Sequence, residues 1–155
     1  TPLYSSAASD VYKRQVIILV EFRGLYAISF FLFSNIHTII PGFVTQDGKP
    51  ALSFGVMGGH MQHQGHVQMV SRIFDYGQNP QEASDAPRWH VYPDLSVGLE
   101  NGMPQSLFDG LKQHGHNVRY ESQESVFGGA QLIQALSSGY VGASDHRKEG
   151  YVGGF

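Results

Sequence analysis

The sequence predicts an α+β fold made of sequential hairpins with helices between them. Three observations carry this. A chain of 155 residues, 41% hydrophobic and 15% charged, is long and apolar enough to bury one core. From Thr38 onward, short β-branched or alternating runs are bounded by Gly, Pro, Asn and Asp turn signals. Three segments with helix-end signals interrupt those runs. The resulting order, β-β-α-α-β-β-α-β-β-β, fits α+β layers better than a doubly wound parallel sheet.

The elements follow in order. Thr38–Val44 is apolar and β-branched, and Leu52–Val56 returns antiparallel to it across a turn at Gln46-Asp47-Gly48-Lys49, where Asp-Gly tolerates positive φ. Pro41 lacks an N–H and marks a strand edge or bulge. Met57-Gly58-Gly59 ends the return strand. Gly65–Tyr76 is the first helix, with a face at 66, 70, 73 and 74 and Gly77 as its stop. Asn79 is an N-cap with Pro80 at the first helical position, and the short helix runs to about Ala86 before Pro87. Trp89–Tyr92 and Leu95–Glu100 are strands. Pro104–His114 is an amphipathic helix with Leu107, Phe108 and Leu111 inward and Gly115 at its end. Asn117–Glu121 is a strand, and Ala130–Leu136 with Tyr140–Ala143 forms the last hairpin around Ser137-Ser138-Gly139.

Residues 1–34 read differently. TPLYSSAASDVYKRQ has no sustained period, and its SSAASDVYKRQ portion resembles adapter-derived sequence translated in frame. The apolar runs Val16–Val20 and Leu25–Phe33 are split by Glu21 and Arg23, each of which costs about 2–3 kcal/mol at a bilayer centre. A membrane or signal segment is therefore disfavoured against a peripheral element or a non-native leader. The expected division is 1–34 as a leader that is non-native or poorly matching, and 35–155 as the folded unit.

Composition excludes several functions. With no Cys, disulfides, thiolate zinc sites and a cysteine nucleophile are impossible. Ten basic and 13 acidic residues give a net charge of −3 without a basic run, which argues against nucleic acid as a partner. No phosphate-binding loop, G-x-G-x-x-G or G-x-S-x-G elbow occurs. Thr1 could act as an N-terminal nucleophile, but Pro2 and the break in pattern after it argue otherwise.

The most informative segment is GVMGGHMQHQGHVQ, residues 55–68. Two glycines between a strand and a helix can aim successive backbone N–H groups at one point, and the helix dipole adds partial positive charge there. A phosphate, a carboxylate or an oxyanion fits such a nest, and so does a plain tight turn. His60, His63 and His66 form an H-x-x-H-x-x-H run, but positions i, i+3 and i+6 drift around a helix and no carboxylate joins them. A metal site is not expected.

VMGGHMQHQGHVQMV, FDYGQNPQEASDAPRW and YVGASDHRKEG, in this order and spacing, resemble the C-terminal part of the gamma-glutamyltranspeptidase family from about Asn35 to Phe155. The resemblance implies an N-terminal-nucleophile hydrolase, a four-layer αββα sandwich made as a self-cleaving proenzyme, with no cofactor. It implies that Gly58 and Gly59 form the oxyanion hole. It places His37 and Thr38 where many members use two serines to hold the gamma-glutamyl carboxylate, Thr38 keeping the hydroxyl. His63 and His146 stand where proline is common, and Asp85 and Arg88 are scaffold residues expected to pair with each other or a neighbour. The implied partners are a gamma-glutamyl substrate such as glutathione and the large subunit of the same proenzyme. The Thr-Thr-His nucleophile motif is absent from the chain, so the piece alone is expected to be inactive. A related amide hydrolase on the same scaffold and a non-catalytic binding domain remain alternatives. An in-frame Thr-Thr-His motif upstream of residue 35 would separate the enzyme readings from the binding domain.

Overall fold

The computed structural model describes residues 15–22, 25–32 and 41–154. Among the described residues, nine strands form two sheets. The larger has six antiparallel strands in the order β1-β2-β3-β4-β8-β9, comprising β1 (Gln15–Phe22), β2 (Leu25–Leu32), β3 (Gly42–Gln46), β4 (Lys49–Met57), β8 (Gly129–Leu136) and β9 (Gly139–Ser144). The smaller holds β5 (Trp89–Val91), β6 (Val97–Glu100) and β7 (Val118–Glu121). Two strands of the larger sheet, β1 and β2, come from the segment that the sequence set apart, and β2 pairs with β3 from Leu25↔Gln46 to Ser29↔Gly42.

The β3–β4 hairpin turns at Asp47 and Gly48, both with positive φ. Its bulge falls between Val44 and Thr45 rather than at Pro41. Helix α1 (Met61–Val70) begins four residues before the expected Gly65 and continues as a π-helical turn over Ser71–Asp75. Helix α2 (Pro80–Asp85) has the expected Asn79 cap, completed as a capping box: the Asn79 side chain accepts from the Glu82 N–H, and the Glu82 carboxylate accepts from the Asn79 N–H. These helices cover one face of the six-stranded sheet. Val44, Leu52, Phe54, Val56, Met69, Ile73, Ala83, Ala130, Leu132 and Ala143 are buried together there. Full burial of each larger side chain contributes about 1.5–3 kcal/mol, which makes this layer the main stabilising unit.

The alternate residues of the same strands face outward. Phe43, Met57 and Ile133 are 41%, 53% and 55% exposed. A hollow of about 640 Å³ lies over this face, lined in part by Ser53, Gly55, Met57, Gln131 and Ile133. The C-terminal tail reaches it at Val152, so close to Gly142 that a Cβ there would fall 2.5 Å from Val152 Cγ1.

In the small sheet β5 is antiparallel to β6, but β6 runs parallel to β7 through helix α3 (Gln105–Gln113), a local β-α-β unit within an otherwise antiparallel chain. Leu95 adopts φ 63° in the turn before β6 and lies outside the strand. Phe108 and Leu111 pack on Val97, Leu99 and Val118 as expected. Leu107, expected inside, is 40% exposed, because one turn of helix cannot direct 107, 108 and 111 all toward so small a sheet. A 3-10 turn at Glu124–Phe127 leads into β8.

Two glutamines join the sheets. Gln64 donates to the Val91 carbonyl at 3.0 Å and accepts from the Val91 N–H at 2.7 Å. Gln68 repeats the pattern on Trp89 at 3.0 and 3.1 Å. Residues i and i+4 of a helix are separated by about the same distance as i and i+2 of a strand. The side-chain amides of α1 thus replace a neighbouring strand along the free edge of β5. Gln68→Ala is expected to lower unfolding stability by about 1–3 kcal/mol, since it leaves a part-buried N–H and C=O without partners. Urea denaturation of the variant measures this.

Candidate active site

Gly58 and Gly59 form the elbow between β4 and α1, with φ 127° and 58°. Their carbonyls accept from Met61 N–H at 3.0 Å and Gln62 N–H at 3.1 Å, which fixes the peptide planes of the pair. Neither Gly58 N–H nor Gly59 N–H donates to an acceptor among the described residues. The two glycines are not equivalent. A Cβ on Gly58 would lie 3.0 Å from Gly128 Cα and 3.1 Å from Met61 Cβ, whereas one on Gly59 would meet nothing within 4 Å. Met57, next in the chain, lines the hollow on the open sheet face. His37 and Thr38 lie outside the described residues.

The sequence reading missed Gly128. Its φ is 72°, and a Cβ there would sit 2.0 Å from the Met57 carbonyl oxygen, so any side chain would displace the end of β4. The signal available was the second glycine pair, Gly128-Gly129, ahead of an alternating strand.

Arg88 and Asp145, both completely buried, hold the segment around Gly128. Arg88 Nη1 donates to the Phe127 carbonyl at 2.8 Å, and Nη2 donates to the Ser84 carbonyl at 3.0 Å and to Asp145. The same carboxylate accepts from the Ala130 N–H at 2.6 Å. Its other oxygen takes the Arg147 N–H and guanidinium at 2.9 and 3.1 Å. Arg147 also forms a bidentate pair with Glu100 at 2.6 and 2.7 Å. Arg72 donates to the carbonyls of Ala83, Ala86 and Pro87. Burial pushes the Asp145 carboxyl upward, but the Arg88 charge and the amide donors outweigh it and hold it below the usual range. Arg88 therefore pairs with a neighbour and not with Asp85, which instead meets the half-exposed His146 at 3.0 Å and Gln81 at 3.0 Å.

Among the described residues no group of three or more His, Asp or Glu is placed to hold a metal ion. His66 turns into the core at 4% exposure, with its ring 4.8 Å from that of Phe54, and its Nε2 accepts the Val56 N–H at 3.2 Å. That bond fixes the Nδ1–H tautomer. Burial, with a smaller contribution from His63, lowers the His66 pKa to about 4. The unfolded chain consequently binds the additional proton between its ordinary value of 6.5 and about 4. Stability from this group is complete above 6.5 and falls as the pH drops through that window, by about 3 kcal/mol in all. His66→Gln is expected to lessen the fall in urea midpoint between pH 7 and pH 5.

A cephalosporin acylase from Bacillus halodurans superposes with a TM-score of 0.72 at 40% identity over 76% of this chain and 22% of its own. A point mutant of Helicobacter pylori gamma-glutamyltranspeptidase superposes with a TM-score of 0.65 at 30% identity over 73% of this chain and 62% of its own. The fold is that of the N-terminal-nucleophile hydrolases, and the helix-covered sheet is part of their αββα sandwich. The family model described as Gamma-glutamyltranspeptidase matches residues 35–155, and the chain belongs to that family. A curated relative, the glutathione hydrolase-like YwrD proenzyme of Bacillus subtilis (strain 168), is 32% identical over 123 residues, 74% of this chain. The chain spans 23% of that protein's length.

Proposed function

We propose that the chain is the C-terminal portion of the small subunit of an enzyme that cleaves gamma-glutamyl amides, glutathione among them, and passes the gamma-glutamyl group to water or an amine. The observation that carries this is the Gly58-Gly59 elbow, whose positive φ values, and N–H groups without an acceptor among the described residues, suit an anionic oxygen. In the reaction, a threonine hydroxyl from sequence outside this chain adds to the amide carbonyl and its proton passes to a base. The carbonyl electrons move onto oxygen, where the N–H groups of Gly58 and Gly59 stabilise the charge. Collapse expels the protonated amine and leaves an ester, which water or a second amine then opens. By the family resemblance, Thr38 and the preceding His37 are assigned to hold the substrate carboxylate, Thr38 through its hydroxyl. The large subunit of the same proenzyme supplies the remaining contacts, and the family unit is residues 35–155, with residues 1–34 a leader whose strands β1 and β2 extend its sheet. No cofactor is needed.

A second reading, an acylase on the same scaffold, is favoured by the 40% identity to the cephalosporin acylase. The test is to express the complete gene and compare kcat/KM for gamma-glutamyl-p-nitroanilide with that for the glutaryl analogue, which lacks the α-amino group. Preference for the gamma-glutamyl compound supports the first reading. Preference for the glutaryl compound supports the second. Activity of residues 35–155 alone would overturn the assignment of the nucleophile to another segment.

A further inference from the structure

We propose that His66 is a positioning residue for the oxyanion-binding glycines, acting through the strand that carries them. The proposal rests on the reading of Gly58 and Gly59 given above. Among the described residues, pairing of β3 with β4 runs to Gly42↔Phe54, and the Val56 N–H lies beyond those pairs. On its other side, β4 pairs with β8 as far as Met57↔Gly129. That pairing holds the end of β4 along its β8 edge. His66 supplies the acceptor at 3.2 Å from α1, the helix that leaves the same elbow. Gly65 allows the approach, since a Cβ there would sit 2.5 Å from Val56 Cγ1. The elbow is thereby closed into a ring: Val56, the glycine pair, the first turn of α1, then His66 back to Val56. The glycine N–H groups keep their direction because the strand before them and the helix after them are tied to each other.

The imidazole is a compact acceptor for this N–H. Its flat ring packs against Phe54 while a single nitrogen accepts, and at 4% exposure no water competes for that nitrogen. The depressed basicity described above keeps the lone pair available at neutral pH. A group tied in this way acts on turnover and not on substrate affinity, because the oxyanion forms only in the transition state.

The test uses the complete proenzyme after self-cleavage, with kcat expressed per acylatable site so that loss of folded enzyme does not count. His66→Phe keeps the ring and removes the acceptor. Its kcat is expected to fall about 10- to 100-fold, the scale of a misplaced catalytic group, with KM close to wild type. His66→Gln restores an acceptor and is expected to recover most of the loss. A purely structural role would lower the melting temperature of His66→Phe and leave kcat per site unchanged, and that result overturns the proposal. Should His66→Phe fail to fold, amide exchange in the wild type decides: a protected Val56 N–H supports the tie, and free exchange there refutes it. A parallel Gly58→Ala enzyme separates the two assignments. If it retains full kcat, the oxyanion reading fails. If it loses kcat while His66→Phe does not, only the role of His66 fails.

Discussion

Gly58→Ala in the complete enzyme is expected to lower kcat by about 10²–10³, the usual effect of losing one oxyanion donor, while KM changes far less. The substitution meets two obstacles. At φ 127° an L side chain is strained, and its Cβ would press on Gly128 Cα at 3.0 Å and Met61 Cβ at 3.1 Å. The elbow must open, and its N–H groups turn away from the position the oxyanion takes. Gly59→Ala is expected to be milder. Its φ of 58° is accessible to alanine at a cost of about 1–2 kcal/mol, and no neighbour stands within 4 Å. His60→Ala and His63→Ala should leave kcat within a few-fold. Steady-state kinetics on the four variants give the order, and a folded Gly58→Ala enzyme with wild-type kcat removes the glycine pair from the mechanism.

The largest loss of stability is expected from Arg88→Ala. It leaves the Asp145 carboxylate fully buried without its main counter-charge, releases the carbonyl of Phe127 and removes one of the two guanidinium donors to the Ser84 carbonyl. Breaking a buried pair on one side costs about 3–5 kcal/mol, a large share of the 5–15 kcal/mol that holds a typical domain. Asp145→Asn should be damaging for the converse reason. Asp85→Asn, which weakens the half-exposed pair with His146, is the comparison and should cost less than about 1 kcal/mol. Urea midpoints measure all three, and equal midpoints for Arg88→Ala and Asp85→Asn would contradict the placement of the charge network in the core.

Strand and turn positions were legible where chemistry is local. Asp47-Gly48 fixes a hairpin, Asn79-Pro80 a helix start, and the alternation in 130–136 a strand. The start of α1 was not, because its buried face carries Gln62, His66 and Gln68 beside Met61 and Met69, and apolar spacing cannot locate a face that is half polar. The roles of Gln64 and Gln68 were not legible because their partners are backbone groups 27 and 21 positions away. The role of Gly58-Gly59 as a sharp elbow could be read directly, while its dependence on Gly128 could not, since that contact exists only once β4 and β8 pair. Arg88 was expected to pair with Asp85 or a neighbour, and burial selected Asp145. The parallel β6–β7 pair was hidden for a related reason: a short β-α-β unit and a hairpin differ in how a helix crosses over, which strand propensity does not report.

The pairing of β4 with β8 has a consequence for how the chain reaches this structure. Everything from Gly58 to Gly128 is inserted between two strands that lie side by side, with Met57 opposite Gly129. Closing so long a loop costs entropy before any ladder bond repays it, and the cost falls if the inserted segment is already compact. The β6-α3-β7 unit, with its own cluster around Leu99 and contacts close in sequence, is suited to form first. Collapse of that unit brings the ends of the insertion together, after which the last hairpin can dock against β4. The two halves of the site, Gly58 before the insertion and Gly128 after it, would then meet late. A destabilising change in Leu99 should slow folding, whereas one in Ala143 should mainly speed unfolding.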